Sequence, residues 1–429
     1  MLDLPLRSSL MRNHSLNTQH ACRLGNRRHA SNGVDVITPL ISVAARLPRV
    51  HRDFGLTEDQ REIVRAVREF VTDRAAPAAA GFEEKKEFPR DLFRQLGEMG
   101  LCGIPYDESY GGVGQPVLTY LAVLEEVATG FFSLALALSV HHLAAFGVHE
   151  FGAEDLKRTY LPRLFSGEWL GAYALSEASS GSDAASLRAK AERTHRGFRL
   201  TGAKRFISHG GEAEFYLVMA RTGDDSPKGI SAFAVEKGWP GFEFGKLEDK
   251  MGWQASPMRE LIFEGCEVPS NNLVGEEGQG FTIALAGLDS GRLGIAACSV
   301  GLAQAAFDAA LGFAKERRQF GRAVIEFQGL QFMLADMATQ IEAARRLYRE
   351  VARLRDSGEA YTIAASMAKL FASDTAMRVS TDAVQVHGGY GYMQEYPVER
   401  YMREAKALQI VEGTNQVQRM VIGRHLAGT

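Results

Sequence analysis

Cysteine is scarce: four among 429 residues (Cys22, Cys102, Cys266 and Cys298), with no CxxC or other ligand spacing. That excludes a disulfide framework and an iron–sulfur or zinc centre, and points to reduced thiols in a reducing compartment. A basic excess is lacking too. Lys and Arg number 49 against 52 Asp and Glu, for a net charge of -3 and a pI near 6.4. Nucleic acid is therefore excluded as the main partner, because phosphate binding needs a clear surplus of cations. No GxGxxG opens a helix after a strand, and no Walker loop, HExxH or GxSxG elbow occurs. A nicotinamide enzyme, a kinase and a serine hydrolase are disfavoured accordingly. Long apolar runs are missing as well. The strongest, Phe131 to Val148, contains His141 and His142 and is barely bilayer length, so it reads as a core helix of a soluble protein.

What is present is ordinary globular composition, 45% hydrophobic and 24% charged. The length suits two or three domains with a large core. Residues 1–52 differ from the rest. The first fifty carry Arg7, Arg12, Arg23, Arg27, Arg28, Arg46 and Arg49, no lysine, and only Asp3 and Asp35 as acids. Two readings fit: a mitochondrial transit peptide, or a disordered extension from an upstream start in a bacterial gene. The second, with a cytoplasmic protein, is favoured; the first would place the protein in the mitochondrial matrix.

From 53 to 168 the pattern is helical. Thr57 and Gln60 form a capping box opening an amphipathic run through Phe70, and further helices are expected over Arg90–Met99, Val117–Thr129 and Ser133–Phe151. From 169 to 281, short β-branched and aromatic runs alternate with Gly, Asp and Pro turns. Phe198–Thr201, Phe215–Arg221, Ser231–Glu236 and Glu260–Glu264 predict a small, mostly antiparallel β domain. From 282 to 429 the chain returns to longer helices: Phe281–Gln319, Phe327–Asp356, Glu359–Val386, Val398–Gln409 and one after Asn415. A stripe of Leu330, Phe332, Met333, Met337, Ile341 and Leu347 suits a helical bundle. The fold class is thus α+β and multidomain: helical, then antiparallel and barrel-like, then a four-helix bundle.

Four polar clusters stand out. Tyr173-Ala-Leu175-Ser176-Glu-Ala-Ser-Ser-Gly181-Ser182-Asp offers N–H and O–H donors to a ligand, although a surface loop of Ser turns explains it equally. Lys204-Arg-Phe206-Ile207-Ser208-His-Gly-Gly puts an aromatic ring beside a hydroxyl, fit for a flat heterocycle or simply a strand end. Gln385-Val386-His387-Gly388-Gly389-Tyr-Gly-Tyr has more glycines than a helix C-cap requires, which permits close backbone approach. His387 in it reads as packed or capped rather than catalytic. Glu412-Gly413-Thr414-Asn415-Gln416 follows an apolar approach. Its carboxylate could have a raised pKa and act as a base, or be a helix N-terminal acid before a Thr cap.

Together and in this order, the clusters resemble the acyl-CoA dehydrogenase family over about Leu56 to Leu426. Arg317-Arg-Gln-Phe-Gly321 and Leu334-Ala-Asp-Met-Ala338 add to the likeness. The resemblance implies one non-covalent FAD per chain, held between the β domain and the C-terminal helices. Tyr173, Leu175, Ser176, Gly181, Ser182, Phe206, Ile207, Ser208, Thr414, Asn415 and Gln416 would contact it. Arg317, Gln328 and Gln385–Gly389 would reach the FAD of a neighbouring subunit in a homotetramer. Ser182, Asp289, Ser290, Gly291, Arg292 and Gly413 would contact acyl-CoA. Glu412 would be the base, since Gly291 cannot serve at the alternative position some relatives use. An electron-transfer flavoprotein would accept the electrons. Phe206 and Ser208, with Pro227–Ser231, Val235–Gly238 and Gly252-Trp253, resemble the isobutyryl-CoA branch. Glu177-Ala178-Ser179 departs from the usual Glu-Pro-Gly, leaving the shape of that loop open. An acyl-CoA oxidase, a flavin monooxygenase and a non-catalytic scaffold on the same fold are the alternatives.

Overall fold

The computed structural model describes Asp53 and residues 55–428; the leader and Cys22 lie outside the described residues. Thr57 and Gln60 form the expected capping box. Gln60 N–H donates to Thr57 Oγ1 at 3.3 Å, and Thr57 N–H donates to Gln60 Oε1 at 2.9 Å. They open α1 (Glu58–Phe70), which runs through a π-helical turn (Val71–Ala75) into α2 (Ala76–Lys85). Then come α3 (Arg90–Glu98), α4 (Val117–Gly130), α5 (Phe132–Phe151) and α6 (Glu154–Phe165). α4 and α5 carry apolar residues on every side, interrupted by paired groups such as Glu125 and by His141 and His142, and both are buried almost throughout. The apolar window of α5 is 89% buried, so the reading of this stretch as a core helix holds.

The β domain has an eight-stranded sheet: β1 (Gly171–Ala174), β2 (Lys190–Arg193), β3 (Gly197–Ser208), β4 (Phe215–Arg221), β5 (Ile230–Glu236), β6 (Phe242–Leu247), β7 (Met258–Pro269) and β8 (Leu273–Val274). Their order is β6-β7-β3-β2-β4-β5-β8, with β1 also on β4. Pairing is antiparallel except for β1–β4 and β2–β4, in keeping with the expected texture. All seven residues of β4 are buried, as its unbroken apolar run demands. Strands β1, β2, β6 and β8 escaped sequence reading because they are short, rich in Gly and Ala, or charged.

Next come α7 (Gly280–Glu316), a small hairpin of β9 (Arg318–Gln319) and β10 (Arg322–Ala323), α8 (Gln328–Asp356), α9 (Thr362–His387), α10 (Val398–Leu408) and α11 (Asn415–Ala427). α7 can press against α4 because its facing positions are small. A β-carbon at Gly301 would lie 2.3 Å from the Glu125 carbonyl oxygen. α8 buries Leu334, Met337, Ile341, Ala344, Tyr348 and Val351, whereas Phe332 stays 60% exposed. The expected stripe is right at Met337 and Ile341 and wrong at Phe332, which lies off the i, i+3, i+4 face that the others share. One buried ionic cluster ties α4 to α8. Glu125 accepts from Arg345 Nε at 2.8 Å, from Arg349 Nη2 at 3.2 Å and from the Tyr348 hydroxyl.

Candidate active site

Residues 409–414 make the turn between α10 and α11. Glu412 has φ +52° and Gly413 φ +86°, so two successive residues are left-handed. For a glutamate that conformation costs roughly 1–3 kcal/mol and persists only where neighbours over-determine it. They do so here. Lys369, fully buried on α9, donates to the Gly413 carbonyl at 3.0 Å and to Asn415 Oδ1 at 2.8 Å. Asn415 Nδ2 donates to Asp374 Oδ1 at 2.7 Å, and Gln418 Nε2 donates to the carbonyls of Glu412 and Gly413 at 3.1 and 2.9 Å. Thr414 caps α11, accepting from Val417 N–H at 3.2 Å.

The turn projects the Glu412 side chain into the protein. Part of the residue remains open, but Oε2 is buried and has no hydrogen-bond partner. It lies against α7 at Gly291, where a β-carbon would be 2.2 Å from Oε2 and 3.0 Å from Oε1. Burial pushes the carboxyl up to about 7, against the lowering pull of Lys369 and Arg292. Such an acid titrates near neutrality, which suits a general base. Burial raises Tyr173 on β1, Cys298 on α7 and Tyr120 on α4, and the charge of Glu412 adds to each rise.

On α7, Asp289 accepts from Arg292 Nη1 at 2.5 Å and from Thr362 Oγ1 at 2.7 Å, while Ser290 Oγ accepts from Arg355 at 2.6 Å. Arg292 is buried and its Nε has no partner. The predicted Asp289–Arg292 segment and Glu412 are therefore brought together.

The first two clusters also meet. The Ser176 carbonyl accepts from Arg205 N–H at 2.8 Å, joining the end of β1 to β3. Below this junction Lys204 is fully buried and donates to Glu177 Oε1 at 2.7 Å and to the Leu175 carbonyl at 3.1 Å. Glu177 also accepts from the N–H groups of Arg188 and Ala189 at 2.7 and 2.9 Å. The unusual Ala178-Ser179 turn is closed by paired backbone bonds between Glu177 and Ser180. Pairing of β3 with β7 slips between Lys204 and Ile207, and at that irregularity Phe206 takes φ +60° with its ring 58% exposed. Bulges re-aim side chains in this way beside functional sites. Ile207 is buried, Ser208 half-buried, and Gly181 and Ser182 are exposed. Tyr173, three residues before Ser176, donates its hydroxyl to the Ala284 carbonyl on α7 at 3.3 Å.

The third cluster lies elsewhere. Lys369 and His387 are eighteen residues apart on α9, about 27 Å at the α-helical rise. His387 is buried, bonds the Ala383 carbonyl at 2.8 Å and stacks on Phe313 at 4.3 Å, a packed side chain as expected. Val386 is buried, whereas Gln385, Gly388, Gly389 and Gln328 are exposed, and Arg317 lies over the Tyr390 ring at 5.1 Å. One chain therefore does not gather this cluster around Glu412. Asn415 turns its amide onto α9, and Gln416 faces outward.

An exposed ring at a strand irregularity, the adjoining Ser176–Arg205 junction and a buried carboxylate with an orphaned oxygen fit a flat, redox-active heterocycle and a weakly acidic substrate. No group of three or more His, Cys, Asp or Glu suited to a metal ion occurs among the described residues. Lys369, Tyr120 and Cys298 were missed from the sequence. The one usable signal was a lysine on a helix face otherwise formed by Ala365, Ala368, Ala372 and Ala376.

Comparison with known proteins agrees with this geometry. Family models for the N-terminal, middle and C-terminal domains of acyl-CoA dehydrogenase match residues 57–168, 172–266 and 278–427. An acyl-CoA dehydrogenase of Bacillus subtilis is 47% identical over 375 residues, covering 87% of this chain and 99% of its own. The mitochondrial isobutyryl-CoA dehydrogenase of Dictyostelium discoideum is 43% identical over 375 residues, covering 87% of this chain and 90% of its own. A chain in the structure of the electron transferring flavoprotein of Acidaminococcus fermentans, described under flavin-based electron bifurcation, superposes with a TM-score of 0.86. It is 48% identical and covers 87% of this chain and 99% of its own length. The chain belongs to the acyl-CoA dehydrogenase family, as an FAD-binding flavoprotein oxidoreductase of three domains.

Proposed function

We propose that the protein desaturates a short, branched acyl-CoA of isobutyryl type to the 2-enoyl-CoA, with Glu412 as the base. One observation carries this reading: a buried carboxylate with an unpartnered oxygen, held on a left-handed turn and raised to about 7. The α-hydrogen of a thioester is only weakly acidic, so the site must both accept the proton and stabilise the enolate that forms. Glu412 takes the proton on Oε2, and its backbone N–H would donate to the thioester oxygen. Arg292 and Lys369 keep enough positive field for the carboxylate to ionise near pH 7. Bound FAD supplies the hydride acceptor for the β-carbon.

Ser176, Phe206, Ile207, Ser208, Thr414 and Gln416 would hold the FAD without a covalent link. Ser182, Gly413 and the Asp289–Arg292 segment would hold acyl-CoA. Isobutyryl-CoA is the named substrate of the Dictyostelium relative, and an electron-transfer flavoprotein is the natural acceptor by likeness to the Acidaminococcus chain.

The separated third cluster supports a homotetramer in which Arg317, Gln328 and Gln385–Gly389 complete a neighbour's cofactor site. Phe320 (92% exposed), Tyr392 (81%) and Phe332 (60%) leave apolar surface on the C-terminal helices for such a neighbour to cover. Both bacterial and mitochondrial relatives exist, and a bacterial cytoplasmic setting is our reading. The deciding experiment is a panel of butyryl-, isobutyryl-, 2-methylbutyryl-, isovaleryl- and octanoyl-CoA with an artificial electron acceptor. Isobutyryl-CoA should give the highest kcat/KM, and a preference for octanoyl-CoA would contradict the assignment.

A further inference from the structure

One face of α9 is formed by Ala365, Ala368, Ala372 and Ala376, and Lys369 interrupts it. Its side chain is wholly buried, which long cations almost never are unless fully partnered. The partners are the Gly413 carbonyl at 3.0 Å and Asn415 Oδ1 at 2.8 Å, on the turn that carries Glu412. Asn415 is held in turn by Ser373 and Asp374, and Asp374 also receives Gln409 Nε2 at 2.7 Å and Arg419 Nη2 at 3.0 Å. Both ends of the turn, Gln409 and Asn415, are thus fastened to α9.

We propose that Lys369 is the positioning residue for the base: its ammonium clasps the left-handed Glu412–Gly413 turn from α9 and sets a positive charge beside the carboxylate. The inference rests on Glu412 being the base. An apolar or neutral side chain could fill the same volume, but it could not both hold the Gly413 carbonyl and favour an ionised Glu412. Burial presses the ammonium itself down to about 8, and the Glu412 charge opposes that fall, so each group supports the charged form of the other. The remaining titratable or charged groups facing the pair are Arg292 and Cys298 on α7, Asp374 on α9, Tyr120 on α4 and Tyr173 on β1. Arg292 alone among them adds positive charge, from the opposite wall.

The test compares holoenzyme variants Lys369→Gln, which keeps a donor without the charge, and Lys369→Arg, which keeps the charge. The first readout is the pH dependence of flavin reduction by the best acyl-CoA substrate in stopped flow. In Lys369→Gln the rising limb should move up by about one pH unit, so that reduction is roughly tenfold slower near neutrality and recovers at alkaline pH. Lys369→Arg should hold the limb near its wild-type place. The second readout needs no turnover: the melting-temperature difference between Glu412 and Glu412→Gln proteins, followed against pH, breaks where Glu412 ionises. That break should also move up in the Lys369→Gln background. If Lys369→Gln is not recovered as a yellow protein, Lys369→Met removes the same charge in nearly the same volume and should give the same upward move. A rising limb and a melting break unmoved in the charge-removing variants, whatever the rate, would overturn the proposal. If instead Glu412→Gln reduces its flavin at the wild-type rate, the base assignment has failed, while the melting comparison still decides whether Lys369 governs this carboxyl.

Discussion

Gly291 and Glu412 share one space: a β-carbon on the first would lie 2.2 Å from Oε2 of the second. The Glu412 carboxylate can occupy its buried position only because α7 presents no side chain there. Gly291→Ala adds a single methyl group on a helix and does not disfavour the helix itself. It should push the carboxylate aside by about an ångström, which costs roughly 10²-fold in rate where geometry is critical. FAD content should remain near one per chain. Stopped-flow flavin reduction with a matched absorption spectrum checks both halves of this statement.

Lys204 stands under the other wall of the site. It is the sole side-chain cation bonded to Glu177 among the described contacts, and it ties the Leu175–Glu177 segment to β3. Lys204→Met leaves Glu177 buried without its counter-charge, a loss of about 3–5 kcal/mol when one partner of a buried pair is removed. The segment that positions Ser176 should loosen. FAD should bind more weakly by about tenfold, equivalent to 1.4 kcal/mol, as measured by fluorescence recovery of released flavin.

Glu125 concerns stability rather than chemistry. Although burial opposes ionisation, Arg345, Arg349 and the Tyr348 hydroxyl hold its carboxyl down to about 2. A folded-state value below the unfolded one means stability that is present above about 4.5 and lost as pH falls through about 2. Glu125→Gln leaves the two buried guanidinium groups facing a neutral amide and should destabilise the protein by about 3–5 kcal/mol at neutral pH. The gap in melting temperature between variant and wild type should narrow below about pH 4.5; a gap unchanged in acid would show that packing, not charge, is at work.

Much of this was legible in the residues. The capping box at Thr57 and Gln60, the strongly apolar α4 and α5, and the fully buried β4 are local patterns legible in composition. The short strands β1 and β2 were not legible, because Gly-Ala-Tyr-Ala and Lys-Ala-Glu-Arg become strands only by pairing, β1 with the distant β4 and β2 with both its hairpin neighbour β3 and β4. In the site, Glu412 was legible as a candidate from its sequence neighbours, but its environment was not. Gly291 on α7 meets its carboxylate and Lys369 on α9 its turn, across long stretches of chain, and no spacing rule connects them. Asn415 shows the converse, since a residue inside a recognisable motif turned out to face α9. Phe332 was misjudged because periodicity gives a face and not its limits.

The central claim is that Glu412 removes the α-proton, and Glu412→Gln in single-turnover flavin reduction tests it most directly. The amide keeps the volume and the left-handed turn, so FAD and acyl-CoA binding should persist with wild-type spectra. Loss of a general base is typically worth about 10²–10⁴-fold, and this step should fall near or beyond the upper end because a thioester α-hydrogen is so weakly acidic. The wild-type rate should rise with pH through about 7, as the buried carboxyl loses its proton, and the residual rate of the variant should lack that rise. Reduction of the Glu412→Gln flavin at close to the wild-type rate, with the same pH dependence, would contradict the account.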